Sequence, residues 1–313
     1  MFTMENSTEK GLKEALIYLE SGNPSKARQI LSQLFTADNN NQKVYYATLC
    51  CTFWEGILSG LSLIEDPLER GDTLLTEWKN FIVYIQLKTP EYKPAFESTK
   101  QGVFTLALQS FRKALEDINI EDKSGIYQKT GLCFKKTGDF ENACRCLTQA
   151  NNIHGGQASV LAELADCWSL CGDDRTAKVL FREAFYIAPD KIEMDHLDSQ
   201  LIKALIKKTE ETGCSPRSLV WWVPVYGVIW GVFTVRRTLS SQEVGHLKQA
   251  VYALENEYKN PKCDAEILMP RLLNSYFRLI EYYVMTGNSE SQINEILLKM
   301  KVLNKPIYEL YVK

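Results

Sequence analysis

Cysteine and histidine are the residues of this chain best suited to bind a metal ion or to act as a nucleophile. The chain contains nine cysteines among its 313 residues. Cys144 and Cys146 lie two positions apart on a predicted helix and point to nearly opposite sides, whereas Cys167 and Cys171 share a face but have no second pair nearby. A zinc site needs about four converging ligands. We therefore expect reduced thiols in a reducing compartment and no metal site.

Catalytic patterns are equally scarce. The three histidines are isolated in sequence, His154 in a loop and His196 and His246 on predicted helices. The chain lacks a phosphate-binding Gly-Lys-Ser/Thr loop, a dinucleotide-binding glycine pattern, a Gly-x-Ser-x-Gly elbow and a His-Glu-x-x-His helix. We therefore predict that the protein is not an enzyme and uses no cofactor.

Composition and charge limit the class of partner. Charged residues make up 24% of the chain and hydrophobic residues 45%, which is typical of globular proteins. The net charge is −3 and no basic block appears, so nucleic-acid binding is not expected. Residues 1–18 lack the basic and apolar regions of a secretory signal. The length suits two domains or one elongated repeat array.

A repeat of 34 residues occupies the middle of the chain. Residues 124–157 align with residues 158–191 so that small residues match small ones, large apolar residues match large apolar ones, and two glycines coincide. The matched pairs are Tyr127/Leu161, Gly131/Ala165, Phe134/Trp168, Gly138/Gly172, Ala143/Ala177, Leu147/Phe181 and Ala150/Ala184. Each glycine is expected to end a helix, and the aspartate after it, Asp139 or Asp173, to cap the next one. The pattern therefore predicts two helical hairpins.

This pattern resembles the tetratricopeptide repeat (TPR), in which large, small, aromatic, glycine, alanine and proline positions recur within 34 residues. The second copy follows the family pattern nearly throughout, including Trp168, Gly172 and Pro189. The first copy departs from it at Thr130, where the family prefers leucine, and at Gly155, where it prefers proline. The resemblance implies a right-handed helical solenoid that binds a partner peptide or helix in its inner groove.

Weaker copies precede these two repeats. Residues 8–39 and 88–121 contain glycine, alanine and large apolar residues at the same internal spacing, with Gly22 and Gly102 at the position of the turn. Residues 42–87 are predicted to form a longer helix pair that is broken near Asp66 and Pro67.

The whole chain is therefore expected to be all-α, with roughly 12 to 14 helices. Residues 1–213 are predicted to form the TPR-like array, which ends in a helix over about 190–213. Residues 214–240 interrupt the helical periodicity with an apolar insertion. Residues 241–313 are predicted to add an amphipathic helix and a degenerate TPR-like pair.

The first helix of each TPR hairpin lines the inner groove, so its outward positions are candidate partner contacts. In the two best repeats these positions are Gln128, Leu132, Lys135, Ser159, Ala162, Asp166 and Ser169. Some TPR proteins clamp a C-terminal carboxylate with an ordered set of lysine, asparagine and arginine. Ala162 and Asp166 stand where lysine and asparagine are required, which disfavours that ligand. A solvated polar face is the alternative interpretation of these positions.

Residues 218–235, SLVWWVPVYGVIWGVFTV, contain no charged residue, amide or histidine. Eighteen helical residues extend about 27 Å, just short of a bilayer core of about 30 Å. Arginines flank the segment on both sides, whereas the positive-inside rule places the basic excess of a crossing on one side. The pattern favours shallow insertion into a membrane, with a protein interface or an intramolecular core as alternatives. The candidate contact residues are Trp221, Trp222, Pro224, Tyr226, Trp230, Phe233, Arg236 and Arg237.

Two functions follow as expectations. In the first, the protein is a non-catalytic scaffold of a membrane-associated assembly, cytoplasmic and peripheral or monotopic at the membrane. It binds one or more proteins through the groove and contacts the membrane through residues 218–235. In the second, it is a soluble cytosolic TPR adaptor or oligomer, and the same segment is a buried plug or a dimer contact.

Overall fold

The computed structural model describes residues 2–38, 40–234, 237–287 and 290–313, with side chains described from residue 8 onward. Within these ranges the chain forms fifteen α-helices, two short 3-10 turns and no strand, so the all-α prediction is confirmed. The chain divides into two compact units, Met1–Ile153 and His154–Lys313. This division falls between the two best repeats, inside the predicted array 1–213.

The first unit contains α1 (Phe2–Glu20), α2 (Pro24–Ala37), α3 (Gln42–Leu61), α4 (Pro67–Gln86), α5 (Lys93–Glu116), α6 (Ser124–Lys136) and α7 (Phe140–Ile153). Neighbouring helices pack as α1 on α2, α2 on α3, α4 on α5, α5 on α6 and α6 on α7, and α5 also packs on α1. Their apolar faces enclose one core that includes Trp54, Trp78, Phe81 and Phe104.

The second unit contains α8 (Ala158–Leu170), α9 (Asp174–Ile187), α10 (Gln200–Glu210), α11 (Leu219–Ile229), α12 (Ser241–Tyr258), α13 (Ala265–Thr286), α14 (Glu290–Leu303) and α15 (Lys305–Tyr311). Two 3-10 turns, Pro189–Lys191 and Met194–His196, connect α9 to α10. The helix expected from residue 190 therefore begins only at Gln200. One core of this unit lies among α8, α9 and α10, and another among α12 to α15.

Three helical hairpins share one turn, which joins α1 to α2, α6 to α7 and α8 to α9. In each, a glycine at φ +73° to +90° donates its N–H to the carbonyl three residues earlier, and the next residue donates to the carbonyl five residues earlier. The pairs, at 2.8–3.1 Å, are Gly22–Leu19, Asn23–Tyr18, Gly138–Lys135, Asp139–Phe134, Gly172–Ser169 and Asp173–Trp168. This is the Schellman ending of a helix, for which glycine is preferred because no Cβ opposes a positive φ.

The copy at residues 88–121 differs from the predicted hairpin. Residues 93–116 form one continuous helix, α5, and Gly102 lies in its middle. A Cβ at Gly102 would lie 2.1 Å from the carbonyl oxygen of Leu19, so this glycine allows α5 to cross the end of α1 at close range. The spacing of a turn glycine and that of a crossing glycine are the same in sequence, which explains the incorrect prediction.

Candidate functional site

The predicted groove residues of α6 and α8 are less exposed than their spacing suggested. Gln128, Ser159 and Ser169 are half-buried, and the other four are buried, with Lys135 2% and Asp166 0% exposed. The remaining buried pair is Leu132 and Ala162. Ser169 also donates a hydrogen bond to Asp174 Oδ1 at 2.6 Å, across the turn of its own hairpin. Partner binding by these positions therefore stays a prediction, and the half-buried residues are its best candidates.

Asp166 has a structural partner within the second unit. Its two carboxylate oxygens accept hydrogen bonds from the backbone N–H groups of Asp198 and Ser199, each at 2.8 Å. These groups precede α10, whose first N–H donors have no intrahelical acceptor. Asp166 therefore caps α10 from a position 33 residues earlier in the chain. This contact joins the end of the connection after α9 to α8.

His196 lies between two carboxylates, which its isolation in sequence did not indicate. In the 3-10 turn Met194–His196, its Nδ1 is 3.7 Å from Oε1 of Glu163 on α8, and its Nε2 is 3.3 Å from Oε2 of Glu193. Histidine beside carboxylate is a proton-transfer pair in many enzymes. Here Glu163 belongs to α8, so its contact with His196 places the connection after α9 beside the hairpin α8–α9.

The apolar segment folds as α11 followed by a tight turn, and it packs within the second unit. Helix α11 contacts α9, α10, α13 and the turn Pro189–Lys191. Val223 belongs to the core with α8, α9 and α10, whereas Val225 belongs to the core with α12 to α15. Pro224 is buried between them. In the described part of the segment, no large apolar side chain is exposed. The segment thus joins two cores that lie on opposite sides of it.

Phe233 anchors the end of the segment. Its ring is 1% exposed and packs over Gly227, where a Cβ would lie 2.4 Å from the ring. The chain reverses at Gly231, with φ +70°, and Gly227 accepts hydrogen bonds from Val232 N and Phe233 N. The carbonyl of Phe233 accepts a hydrogen bond from Arg182 Nη1 at 2.6 Å. A buried arginine of α9 therefore fixes the position at which the segment leaves the core.

The aromatic candidates form a ladder along α11. Trp222 and Tyr226 have ring centroids 5.6 Å apart, and Tyr226 stacks on Trp230 at 4.6 Å. The ammonium of Lys208 lies 4.2 Å from the ring of Trp230, and Arg271 lies 5.1 Å from the ring of Trp221. These four aromatic residues are half-buried. Cations on their faces contribute about 0.5–1 kcal/mol each at exposed sites.

The basic residues that flank the segment have acidic partners in the chain. Arg217 pairs with Asp264, the residue before α13. Arg237 pairs with Glu183 on α9 at 3.2 Å and with Glu243 on α12 at 2.5 Å. Arg236 lies outside the described residues. The arginines that flank the segment were candidates for contact with a membrane surface. Their ion pairs within the chain give a second explanation for basic residues on both sides.

A network of ion pairs extends from Arg237 into the second unit. Arg278 Nη2 donates to both carboxylate oxygens of Glu183, at 2.8 and 2.7 Å, and Arg182 pairs with Glu281. The side chains of Arg182, Arg278 and Glu281 are each about one-tenth exposed. The guanidinium of Arg278 also covers the ring of Tyr186 at 3.9 Å. These contacts tie α9 to α13.

Two carboxyl groups of the network have a lowered pKa. Burial alone would raise the pKa of Glu183, but the hydrogen bonds from Arg278 and then Arg237 outweigh it, so the pKa lies below its ordinary value. The hydrogen bond from Arg237, and then those from Ser240, lower the pKa of Glu243 to about 2. Both groups are therefore ionised near neutral pH.

Comparison with known proteins leaves the family open. No model of a known protein family matches the chain, and no curated protein matches it. In the parts of the chain that the structure describes, no helix is both long enough and apolar enough to span a bilayer. The same residues contain no group of three or more histidine, cysteine, aspartate or glutamate side chains placed to hold a metal ion. The chain is an all-α protein of packed neighbouring helices, compatible with a helical repeat fold.

Proposed function

We propose that this protein is a non-catalytic adaptor that binds a partner protein on the first helices of its repeated hairpins. The observation that carries the proposal is the shared Schellman turn, which recurs at Gly22, Gly138 and Gly172 with the same backbone hydrogen bonds. Hairpins repeated in this way resemble those of TPR proteins, whose role is to bind peptides or helices. The proposed contact of the first unit is the half-buried Gln128 on α6, and that of the second unit is the half-buried Ser159 on α8.

The apolar segment 218–235 acts in this proposal as an internal plug of the second unit. The support is its packing between two cores, with Val223 in one and Val225 in the other. A second candidate is an adaptor held at a membrane by the same segment. The half-buried ladder of Trp222, Tyr226 and Trp230 favours it, because amphipathic aromatic rings are enriched at membrane interfaces.

Partner binding is tested by chemical cross-linking of the full chain to proteins of its own cell, followed by measurement of the affinity for the protein identified. Gln128→Arg and Ser159→Arg are each expected to weaken binding at least tenfold, since each places a long cation on a first helix. Gln149→Arg, at an exposed position of the second helix α7, is the matched control and should leave the affinity unchanged. Equal affinities for all three variants contradict the proposal.

The two roles of the apolar segment are separated by flotation of the full chain with vesicles that contain phosphatidylserine. The plug predicts that the folded protein remains in the dense fraction at low and at high salt. The membrane role predicts flotation that persists at high salt, since apolar insertion is not screened. Trp221→Ser should reduce such flotation, whereas Trp168→Ser, a half-buried tryptophan of α8, should not.

A further inference from the structure

A half-open cavity in the second unit is lined almost entirely by charged side chains. It lies between α9, α13 and the chain that enters α12, within the network of ion pairs described above. Its volume is about 270 Å³ including the open mouth, and its inner part has room for about one group the size of a water molecule. The lining residues are Arg182, Glu183, Arg237, Leu239, Arg278, Glu281 and Tyr282. Pockets for apolar ligands have mostly hydrophobic walls, so this cavity suits a charged group instead.

The lining carries one more positive charge than negative charges. Three arginines and two glutamates line the cavity, which leaves a net charge of +1. The next carboxylate, Glu243, pairs with Arg237 but does not belong to the lining. A small anion is therefore the ion that balances the charge of these walls.

The two buried arginines hold more donors than their partners in the chain use. A guanidinium has five N–H donors. Arg278 uses Nη2 for both oxygens of Glu183, and its Nε and Nη1 have no acceptor among the described residues. Arg182 uses Nη1 for the carbonyl of Phe233 and Nη2 for Glu281, and its Nε has no acceptor within the same ranges. Both side chains are only 9% exposed, so these donors call for an acceptor that enters the cavity.

We propose that this cavity binds a carboxylate group, with one oxygen in the inner part and the rest of the group in the mouth. Carboxylate oxygens accept short, charge-assisted hydrogen bonds from guanidinium groups, and a planar guanidinium suits them better than an ammonium does. An inner space for one water-sized group is also the size of one such oxygen. The ring of Tyr186 lies 3.9 Å from the guanidinium of Arg278 and holds its plane in place, so the donors are ordered before the ligand arrives.

Two kinds of molecule carry such a group. One is a small free carboxylic acid, and the other is a partner protein that inserts an aspartate or glutamate side chain, which rests on the proposed adaptor function. Among the lining residues, Arg237 is exposed and Leu239 is half-buried, so the mouth lies beside the chain that enters α12. A larger side chain at Leu239 is therefore expected to close the mouth without removing a charge.

Urea unfolding of the full chain with increasing sodium acetate, at constant ionic strength and without chloride, tests the site. A ligand that binds only the folded state raises the free energy of unfolding as its concentration rises. Acetate should therefore raise the midpoint of unfolding, whereas acetamide, which has the same shape and no charge, should leave it unchanged.

Variants locate the effect of acetate in the cavity. Leu239→Trp should remove most of the acetate-dependent shift, because the indole fills the mouth. The matched control is Leu298→Trp, at an exposed leucine of α14 that does not line the cavity, and it should keep the shift. Arg278→Lys retains the charge but loses the planar donors, so it should lose the shift as well. Circular dichroism checks that each variant keeps its helices.

Aspartate blocked at both termini, which carries the carboxylate on a peptide backbone, separates the two sources of the ligand. If it raises the midpoint as acetate does, the cavity accepts the side chain of a partner protein, and if acetate alone does so, the cavity accepts free acids. Neither result depends on the groove residues, so the site stands even if the tests of partner binding fail. A shift with acetate that equals the shift with acetamide overturns the proposal, and so does a shift that is the same in Leu239→Trp and in the unchanged chain.

Discussion

The hairpin α8–α9 and the apolar segment that follows it are stabilised over very different distances along the chain. At the turn of the hairpin, the defining hydrogen bonds join residues three to five positions apart, as between Gly172 and Ser169. At the apolar segment, Arg182 reaches the carbonyl of Phe233, 51 residues away, and Glu281, 99 residues away. The turn of the hairpin is therefore formed by local hydrogen bonds, whereas the end of the apolar segment is also held by contacts between distant residues.

The largest expected loss of stability comes from replacing Arg182, which holds the end of the apolar segment. Arg182→Met leaves the carboxylate of Glu281 and the carbonyl of Phe233 buried without this partner. Breaking a buried ion pair costs about 3–5 kcal/mol, because the remaining charge is poorly solvated. Urea denaturation of the full chain, followed by circular dichroism, measures the free energy of unfolding.

The double variant Arg182→Met/Glu281→Leu is the control for that loss. It removes both charges, and well-packed apolar replacements of a buried pair are often neutral. We expect it to recover at least half of the stability lost in the single variant. If Arg182→Met lowers the free energy of unfolding by less than about 1 kcal/mol, as is typical of an exposed ion pair, the pair of Arg182 and Glu281 does not behave as a buried one.

Replacing a closely packed glycine by alanine in each region is expected to lower the free energy of unfolding by a smaller amount, and the two losses can be compared. In Gly227→Ala the new Cβ meets the ring of Phe233 at 2.4 Å, and the ring is confined by its own turn and by Phe185. Overpacking of this kind costs about 1–3 kcal/mol. In Gly131→Ala the Cβ meets the side chain of Leu147 at 2.7 Å. The equivalent residue of the next repeat is Ala165, so this position accommodates a methyl group and the variant should lose less.

The features that the sequence predicts correctly are those determined by residues a few positions apart in the chain. The turn at Gly138 requires a positive φ, and Asp139 caps the helix that begins next to it, so both are visible in a window of a few residues. The 34-residue spacing then repeats the same signals at Gly172 and Asp173. Neighbour-on-neighbour helix packing follows, because each amphipathic helix must cover its apolar stripe.

The remaining features depend on partners that spacing does not reveal. Asp166 occupies a groove position by register, yet its carboxylate accepts hydrogen bonds from backbone N–H groups more than 30 residues later. The apolar pattern of residues 218–235 suits a bilayer and a protein core equally, since both exclude water. The partners of Arg237 lie on α9 and α12, and no motif connects them. The positions of these residues are determined by tertiary contacts, which the sequence pattern does not contain.

A third and smaller effect is expected at the helix caps of the two repeated hairpins, Asp139 and Asp173. Asp139 accepts a hydrogen bond from Asn142 N at 3.2 Å, and Asp173 accepts one from Thr176 N at 3.0 Å. Asp139→Ala and Asp173→Ala each remove a carboxylate that accepts two hydrogen bonds at the start of a helix, one from a backbone N–H and one from a side chain. If the repeats are physically equivalent, the two variants lower the midpoint of urea unfolding by amounts that agree within error. Clearly unequal losses mean that distant contacts also determine these caps.

The smallest expected effect concerns pH and the half-exposed Arg237. A carboxyl group whose pKa is lowered on folding adds stability above its ordinary pKa, here 4.5, and that stability is lost as the pH falls through the folded value. Glu243, with a pKa of about 2, and Glu183, also lowered, are both of this kind. The stability that they contribute is therefore complete above about pH 5 and decreases from there toward pH 2.

Arg237→Gln removes the largest cause of the lowered pKa of Glu243 and the second of the two arginine hydrogen bonds that lower the pKa of Glu183. We expect the variant to be less stable than the unchanged chain by a constant amount above pH 5, and the difference to shrink as the pH falls from 4.5 toward 2, because the carboxyl group of Glu243 is then increasingly protonated in both proteins. Lys248→Gln is the control, since Lys248 lies over the ring of Tyr283, and its effect should not follow carboxyl titration. A difference for Arg237→Gln that stays constant down to pH 2 would show that Arg237 holds the end of the apolar segment through packing rather than charge.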